Sequence, residues 1–105
     1  MTPKLLAAAA ALSCLVPPAS AADSVVKLGY GLFEPGRITV ARGTRVLFRN
    51  EDTQAHEVSS TTQGQGFGLG ELKPGEAKAR VFAKPGVVRV ICALHPGMEM
   101  TVTVR

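Results

Sequence analysis

The chain has 105 residues, 46% of them hydrophobic and 19% charged, with a formal net charge of +4. That length holds one small domain and no more. The basic residues are scattered along the chain, from Lys4 to Arg105, without a dense block, which argues against a nucleic-acid binder and suits contact with an acidic protein surface.

In chain order, the first segment reads as an export leader. Met1–Lys4 carries one positive charge, Leu5–Val16 is apolar apart from Ser13, and Pro17-Pro18 ends the run. Ala19-Ser20-Ala21 then offers small residues for cleavage after Ala21. The apolar run is shorter than the roughly 20 residues a membrane-spanning helix needs. A rival reading of the leader is a lipoprotein site at Cys14, preceded by Ala11-Leu12-Ser13, although Ala stands where Leu is usual. The mass of the mature N-terminus separates the two. The domain is therefore expected over residues 22–105, exported to the periplasm and carrying a charge of +3 once Lys4 is removed. Cys92 is then its only cysteine, which leaves a buried thiol, an intermolecular disulfide or a metal thiolate.

No segment keeps a helical period. Short alternating runs rich in Val, Ile, Thr and Phe predict strands at Val25–Leu28, Arg37–Ala41, Arg45–Asn50, His56–Ser59, Ala77–Ala83, Val87–Cys92 and Met98–Val104. Turns are expected at Glu34-Pro35-Gly36, Arg42-Gly43-Thr44, Lys73-Pro74-Gly75 and Lys84-Pro85-Gly86. Thr61–Gly70, with four glycines, reads as a loop. About seven strands at this spacing predict an all-β, antiparallel sandwich or barrel. Alternation puts Cys92 on the face of Val88 and Val90, His56 on that of Val58, and Met98 and Met100 on that of Val102 and Val104.

Cys92-Ala93-Leu94-His95-Pro96-Gly97-Met98-Glu99-Met100 brings a thiolate, an imidazole and two thioethers into one loop, and the only other histidine is His56. Singly, Cys92 is a buried structural thiol, His56 a satisfied histidine and each methionine a core residue. Their joint spacing on a β pattern points to copper. Soft sulfur suits Cu(I), imidazole suits both oxidation states, and a weak axial thioether suits a site that changes state without rearranging.

The upstream His followed by Cys-x-x-His-x-x-Met near the C-terminus resembles the cupredoxins, and is most similar to the amicyanin, pseudoazurin and plastocyanin groups. Phe33-x-Pro35, Ile38-x-Val40, Val46-x-Phe48-x-Asn50 and the Lys84-Pro85-Gly86-Val87 turn extend the resemblance over most of the mature chain. It implies a Greek-key sandwich holding one copper ion through His56, Cys92 and His95, with a methionine axial. Amicyanin-like spacing selects Met98; the alternative axial ligand, at the spacing of the other two groups, is Met100. Two departures bear on tuning. Glu57 stands where many relatives have Asn, leaving its backbone N–H to reach the Cys92 sulfur. Leu94 replaces a frequent Pro and offers a further N–H to that sulfur.

The expected function is a periplasmic, monomeric one-electron carrier, not an enzyme. His95, among Ala93, Leu94, Pro96 and Gly97, would be the electron's exit toward a redox partner such as a cytochrome or a dehydrogenase. The alternative is a copper-binding protein for tolerance or delivery, and a third reading is a metal-free structural sandwich. Structural zinc lacks a second Cys/Cys or Cys/His pair, and haem attachment lacks Cys-x-x-Cys-His. A Cys/His nucleophile would have no use for Met98 or His56. Glu51-Asp52 reads as a solvated turn, not a catalytic pair.

Overall fold

The computed structural model describes residues 24–105. The expected leader, its cleavage point and Cys14 lie outside the described residues. Among the described residues nine strands form: β1 (Ser24–Gly29), β2 (Leu32–Glu34), β3 (Arg37–Val40), β4 (Thr44–Asn50), β5 (His56–Ser60), β6 (Phe67–Leu72), β7 (Ala77–Phe82), β8 (Gly86–Cys92) and β9 (Glu99–Val104). They make a four-stranded sheet in the order β2-β1-β4-β7 and a five-stranded sheet in the order β3-β9-β8-β5-β6. Among the described residues no helix is long and apolar enough to cross a membrane.

Alternation explains how the two sheets meet. Val26 and Leu28 of β1, Val46 and Phe48 of β4 and Phe82 of β7 are buried on one side. Val58 of β5, Leu72 of β6, Val88 and Val90 of β8 and Val102 and Val104 of β9 are buried on the other. Each such side chain contributes about 1.5–3 kcal/mol through removal from water. Phe33 closes on Phe48 edge-to-face, with ring centroids 6.5 Å apart, a geometry that aligns a positive ring edge with a negative ring face.

Three expectations need correction. The described residues form nine strands where about seven were expected, because β2 and β6 also form. It is not wholly antiparallel either: β1 runs parallel to β4 and β3 parallel to β9. Each parallel pair joins strands distant in sequence, so the chain crosses between sheets before returning. And the segment read as a loop over Thr61–Gly70 gives its last residues to β6, whose Phe67 and Leu69 pack on the core. Gly68 and Gly70 stand between these apolar residues and hide their alternation.

The outer edge of β6 is closed by side chains of β7. Lys78 Nζ donates to the carbonyls of Leu69 (2.9 Å) and Glu71 (3.1 Å). The Arg80 guanidinium lies 4.6 Å from the Phe67 ring centre, within reach of a cation–π attraction.

Gly29-Tyr30-Gly31-Leu32 turns β1 into β2 with φ of 54° at Tyr30 and 75° at Gly31. Positive φ at both central residues matches the right-handed twist of a hairpin. A tyrosine in that conformation is strained, and its side chain, 95% exposed, packs on nothing that repays the strain. Tyr30→Asn should therefore stabilise the fold by about 0.5–1 kcal/mol, read as a raised urea midpoint at unchanged slope.

Candidate metal centre

The site forms at one end of the sandwich from three pieces of chain. β4 ends at Asn50 and β5 begins at His56, so residues 51–55 make a tight connection between the two sheets. β8 ends at Cys92 and β9 begins at Glu99, leaving His95 and Met98 in the turn between them. The β1–β2 hairpin supplies the third piece, at Tyr30.

The imidazoles of His56 and His95 each place Nδ1 3.5 Å from Cys92 Sγ. The donor atoms of the three residues all lie within 4.8 Å of one another, and the two rings are 4.6 Å apart between centres. Bonds of roughly 2.0–2.3 Å from an ion to nitrogen and sulfur place a sulfur and a nitrogen about 3.5 Å apart at an open bond angle, which is the spacing of both sulfur–nitrogen pairs. The donor set also suits copper, joining one soft sulfur to two imidazoles. His56 and Cys92 are buried, while His95 is half-buried on a rim where Ala93, Leu94, Pro96 and Gly97 are exposed.

Each donor is held from behind. The Asp52 carboxylate, as an acceptor, takes the N–H of His56 at Nε2 (3.0 Å). That leaves Nδ1 as the lone-pair nitrogen, facing Cys92. Asp52 also takes the backbone N–H groups of Thr53 (2.6 Å) and Tyr30 (3.1 Å). These bonds, above all the one from His56, hold its carboxyl below the ordinary carboxylate range against the opposing effect of burial. On the other imidazole, Gln54 Oε1 sits 3.0 Å from His95 Nε2. The Glu57 N–H reaches Cys92 Sγ at 3.4 Å, as expected, and its carbonyl takes the Ala93 N–H at 2.9 Å. The backbone at residue 57 thus ties the two ligand-bearing segments together without an Asn side chain.

The bond expected from Leu94 N–H to sulfur does not form among the described residues. The turn closes instead through the His95 N–H onto Cys92 O at 3.3 Å.

Met98 lies just outside β9, where the sequence placed it at the strand's first position. Its carbonyl takes the Cys92 N–H (3.0 Å) and its N–H donates to His95 O (3.1 Å), so its backbone is bonded to two of the three donor residues. Met100 is equally buried but sits within β9 opposite Val90, farther along the core face. The Arg89–Glu99 pair, at 2.6 and 3.0 Å, pins the start of β9 beside Met98. Its hydrogen bonds lower the Glu99 carboxyl and raise the Arg89 guanidinium.

Sequence reasoning brought His56, Cys92 and His95 to one place, and the structure does the same. It missed Asp52, taken for a solvated turn residue, and Gln54. Asp52 had a signal in its chemistry, since a carboxylate is a common outer partner of a ligand histidine. Gln54 had none.

Comparison with known proteins agrees with this geometry. The cupredoxin-like domain family matches residues 4–104. A solved structure of an amicyanin mutant in the reduced state is similar at 24% identity over 77% of this chain and 80% of that one, with a TM-score of 0.72. A purple cupredoxin from Nitrosopumilus maritimus is similar at 26% identity, covering 79% of this chain and 100% of that chain at a TM-score of 0.69. The copper-containing nitrite reductase from Thermus scotoductus SA-01 is similar at 29% identity and a TM-score of 0.73, but over 78% of this chain and only 22% of that one. No curated protein sequence matches. With the fold, the donor trio and the family in agreement, the chain belongs to the cupredoxin-like domain family, and its cofactor is copper.

Proposed function

We propose that the protein is a periplasmic one-electron carrier in which His56, Cys92, His95 and Met98 hold a single copper ion. The observation that carries this reading is the convergence of three donor atoms within 4.8 Å at one end of the sandwich, two of them on buried residues. When bound, copper supplies the one-electron couple, for which this mixture of sulfur and imidazole serves both oxidation states.

The chain's own contribution is to keep its donors still. His56 is fixed by Asp52, and Cys92 is fixed by its place in β8 and by the Glu57 N–H. His95 is fixed by the turn that returns to β9. Donors that do not rearrange let an electron enter and leave with little structural change, whereas delivery of the metal needs a site that opens. Leu94, 49% exposed beside His95, gives an apolar contact for brief docking of a redox protein such as a cytochrome or a dehydrogenase.

Optical and electron-spin-resonance spectra of the copper-loaded protein test the reading. The expected result is an intense visible band and reversible reduction without loss of metal to a chelator. Transfer of copper to an acceptor protein instead would establish a delivery role, and no visible band would end the proposal. In the same assay Met98→Leu should shift the copper bands while Met100→Leu leaves them in place. A shift confined to the Met100 variant would move the axial assignment to that residue.

A further inference from the structure

We infer that Gln54 is a positioning residue for His95: its amide oxygen takes the Nε2–H and so holds that imidazole with Nδ1 turned toward Cys92. The inference rests on the copper reading only in treating His95 as a ligand.

His95 is the donor with the least support from the core. It lies in a turn whose neighbours are exposed, and it is half-buried where His56 and Cys92 are covered. A ring in that position has two ways to leave the site, by swinging outward or by presenting the wrong nitrogen. Its inner edge faces Cys92 Sγ at 3.5 Å and one face leans on His56, with centroids 4.6 Å apart. The contact at its outer edge is Gln54 Oε1, at 3.0 Å. An amide oxygen can only accept, so this contact requires the proton to sit on Nε2 and leaves Nδ1 with its lone pair.

Gln54 is an exposed residue with a long side chain, and such a side chain holds a partner only if its own backbone is fixed. It is. The Gln54 carbonyl takes a hydrogen bond from Asn50 Nδ2 at 2.8 Å, and the buried Asn50 side chain also bonds Leu72 O (2.9 Å) and takes the Asp52 N–H (2.9 Å). The β4–β5 connection is thus anchored in the core and presents two outer partners, Asp52 for His56 and Gln54 for His95. Both imidazoles meet the sulfur through Nδ1 and are held at Nε2 by the same short segment. Gln54 therefore acts as a latch on the exposed ligand, and slows the loss of metal that would turn a carrier into a donor.

Outer partners of a ligand histidine are worth about 10–100-fold in metal affinity, which sets the expected size. The test compares the full domain with its Gln54→Leu and Gln54→Glu variants, the carboxylate of the second keeping the acceptor. In metal-free, nitrogen-15-labelled protein His95 should show the Nε2–H tautomer in the parent and the Glu variant. In the Leu variant it should show mixed tautomers and a rapidly exchanging N–H. With copper bound, the Leu variant should surrender metal to a chelator about 10-fold faster and the Glu variant at close to the parent rate.

An unchanged tautomer in the Leu variant, equal release rates, or a Glu variant that behaves like Leu overturns the latch. The metal-free spectra do not depend on copper. A parent that binds no copper ends the functional reading while the tautomer result still decides the role of Gln54.

Discussion

Cys92→Ser is expected to abolish the intense visible absorption of the copper-loaded protein and to weaken copper binding by more than ~100-fold. Loss of a mere outer partner costs about 10–100-fold, and on the proposed reading this substitution removes a ligand. The serine hydroxyl is a hard donor that stays protonated, so it replaces neither the charge nor the softness of the thiolate. Cys92 also holds a structural place, buried at the end of β8 with Met98 O on its N–H. The backbone bond survives the substitution, and Cys92→Ala separates the two roles. The alanine variant should lose copper as the serine variant does, while its urea midpoint falls only by the small amount a deleted sulfur implies. A serine variant that retained the visible band would remove Cys92 from the site.

Asn50→Ala is expected to cost about 2–4 kcal/mol and, separately, to disturb the copper spectrum from a residue that touches no donor atom. Asn50 has no solvent exposure and makes three hydrogen bonds, to Gln54 O, Leu72 O and Asp52 N–H. The bond to Leu72 O is buried and the other two are part-buried, and a buried partner left unmet costs about 1–3 kcal/mol. The whole stability of a domain this size is about 5–15 kcal/mol. Because the same amide anchors the segment carrying Asp52 and Gln54, its loss should loosen both imidazoles. Asn50→Asp makes the sharper comparison. It keeps the oxygen for Asp52 N–H but turns a carboxylate oxygen toward two carbonyls, so it should destabilise at least as much despite its similar shape. Equilibrium unfolding in urea gives the first quantity and the copper bands the second. An Asn50→Ala protein with parental stability would show that solvent replaces the amide.

What the sequence revealed depended on whether a residue's role showed in its neighbours along the chain. Val46-x-Phe48-x-Asn50 and Val88-x-Val90-x-Cys92 alternate cleanly because each strand is buried on one face, and that rule placed Cys92 and His56 inward correctly. The same rule also pointed Asn50 inward, yet a polar residue at a strand end reads as the start of a turn until its partners are seen. β6 stayed hidden because the glycines between Phe67, Leu69 and Leu72 erase the contrast between faces, and β2 is only three residues long. Strand pairing leaves no mark on alternation at all, so the parallel union of β1 with β4 and of β3 with β9 was beyond reach. Cys92 and His95 were brought near one another by spacing, and the same spacing is the ground for proposing Met98 beside them. Gln54 was not legible, because its partner lies far off in the chain and nothing in its own neighbourhood distinguishes it.

The ammonium of Lys78 on the Leu69 and Glu71 carbonyls at the edge of β6 bears on how the molecule behaves in a crowd. A bare sheet margin is a template on which another chain can lay a strand, and repeated addition builds fibrils. Here the carbonyls at that margin are already occupied by a cation from the neighbouring sheet. Any incoming strand must first displace it and then accept its charge at close quarters. Copies can therefore collide often without joining along this border.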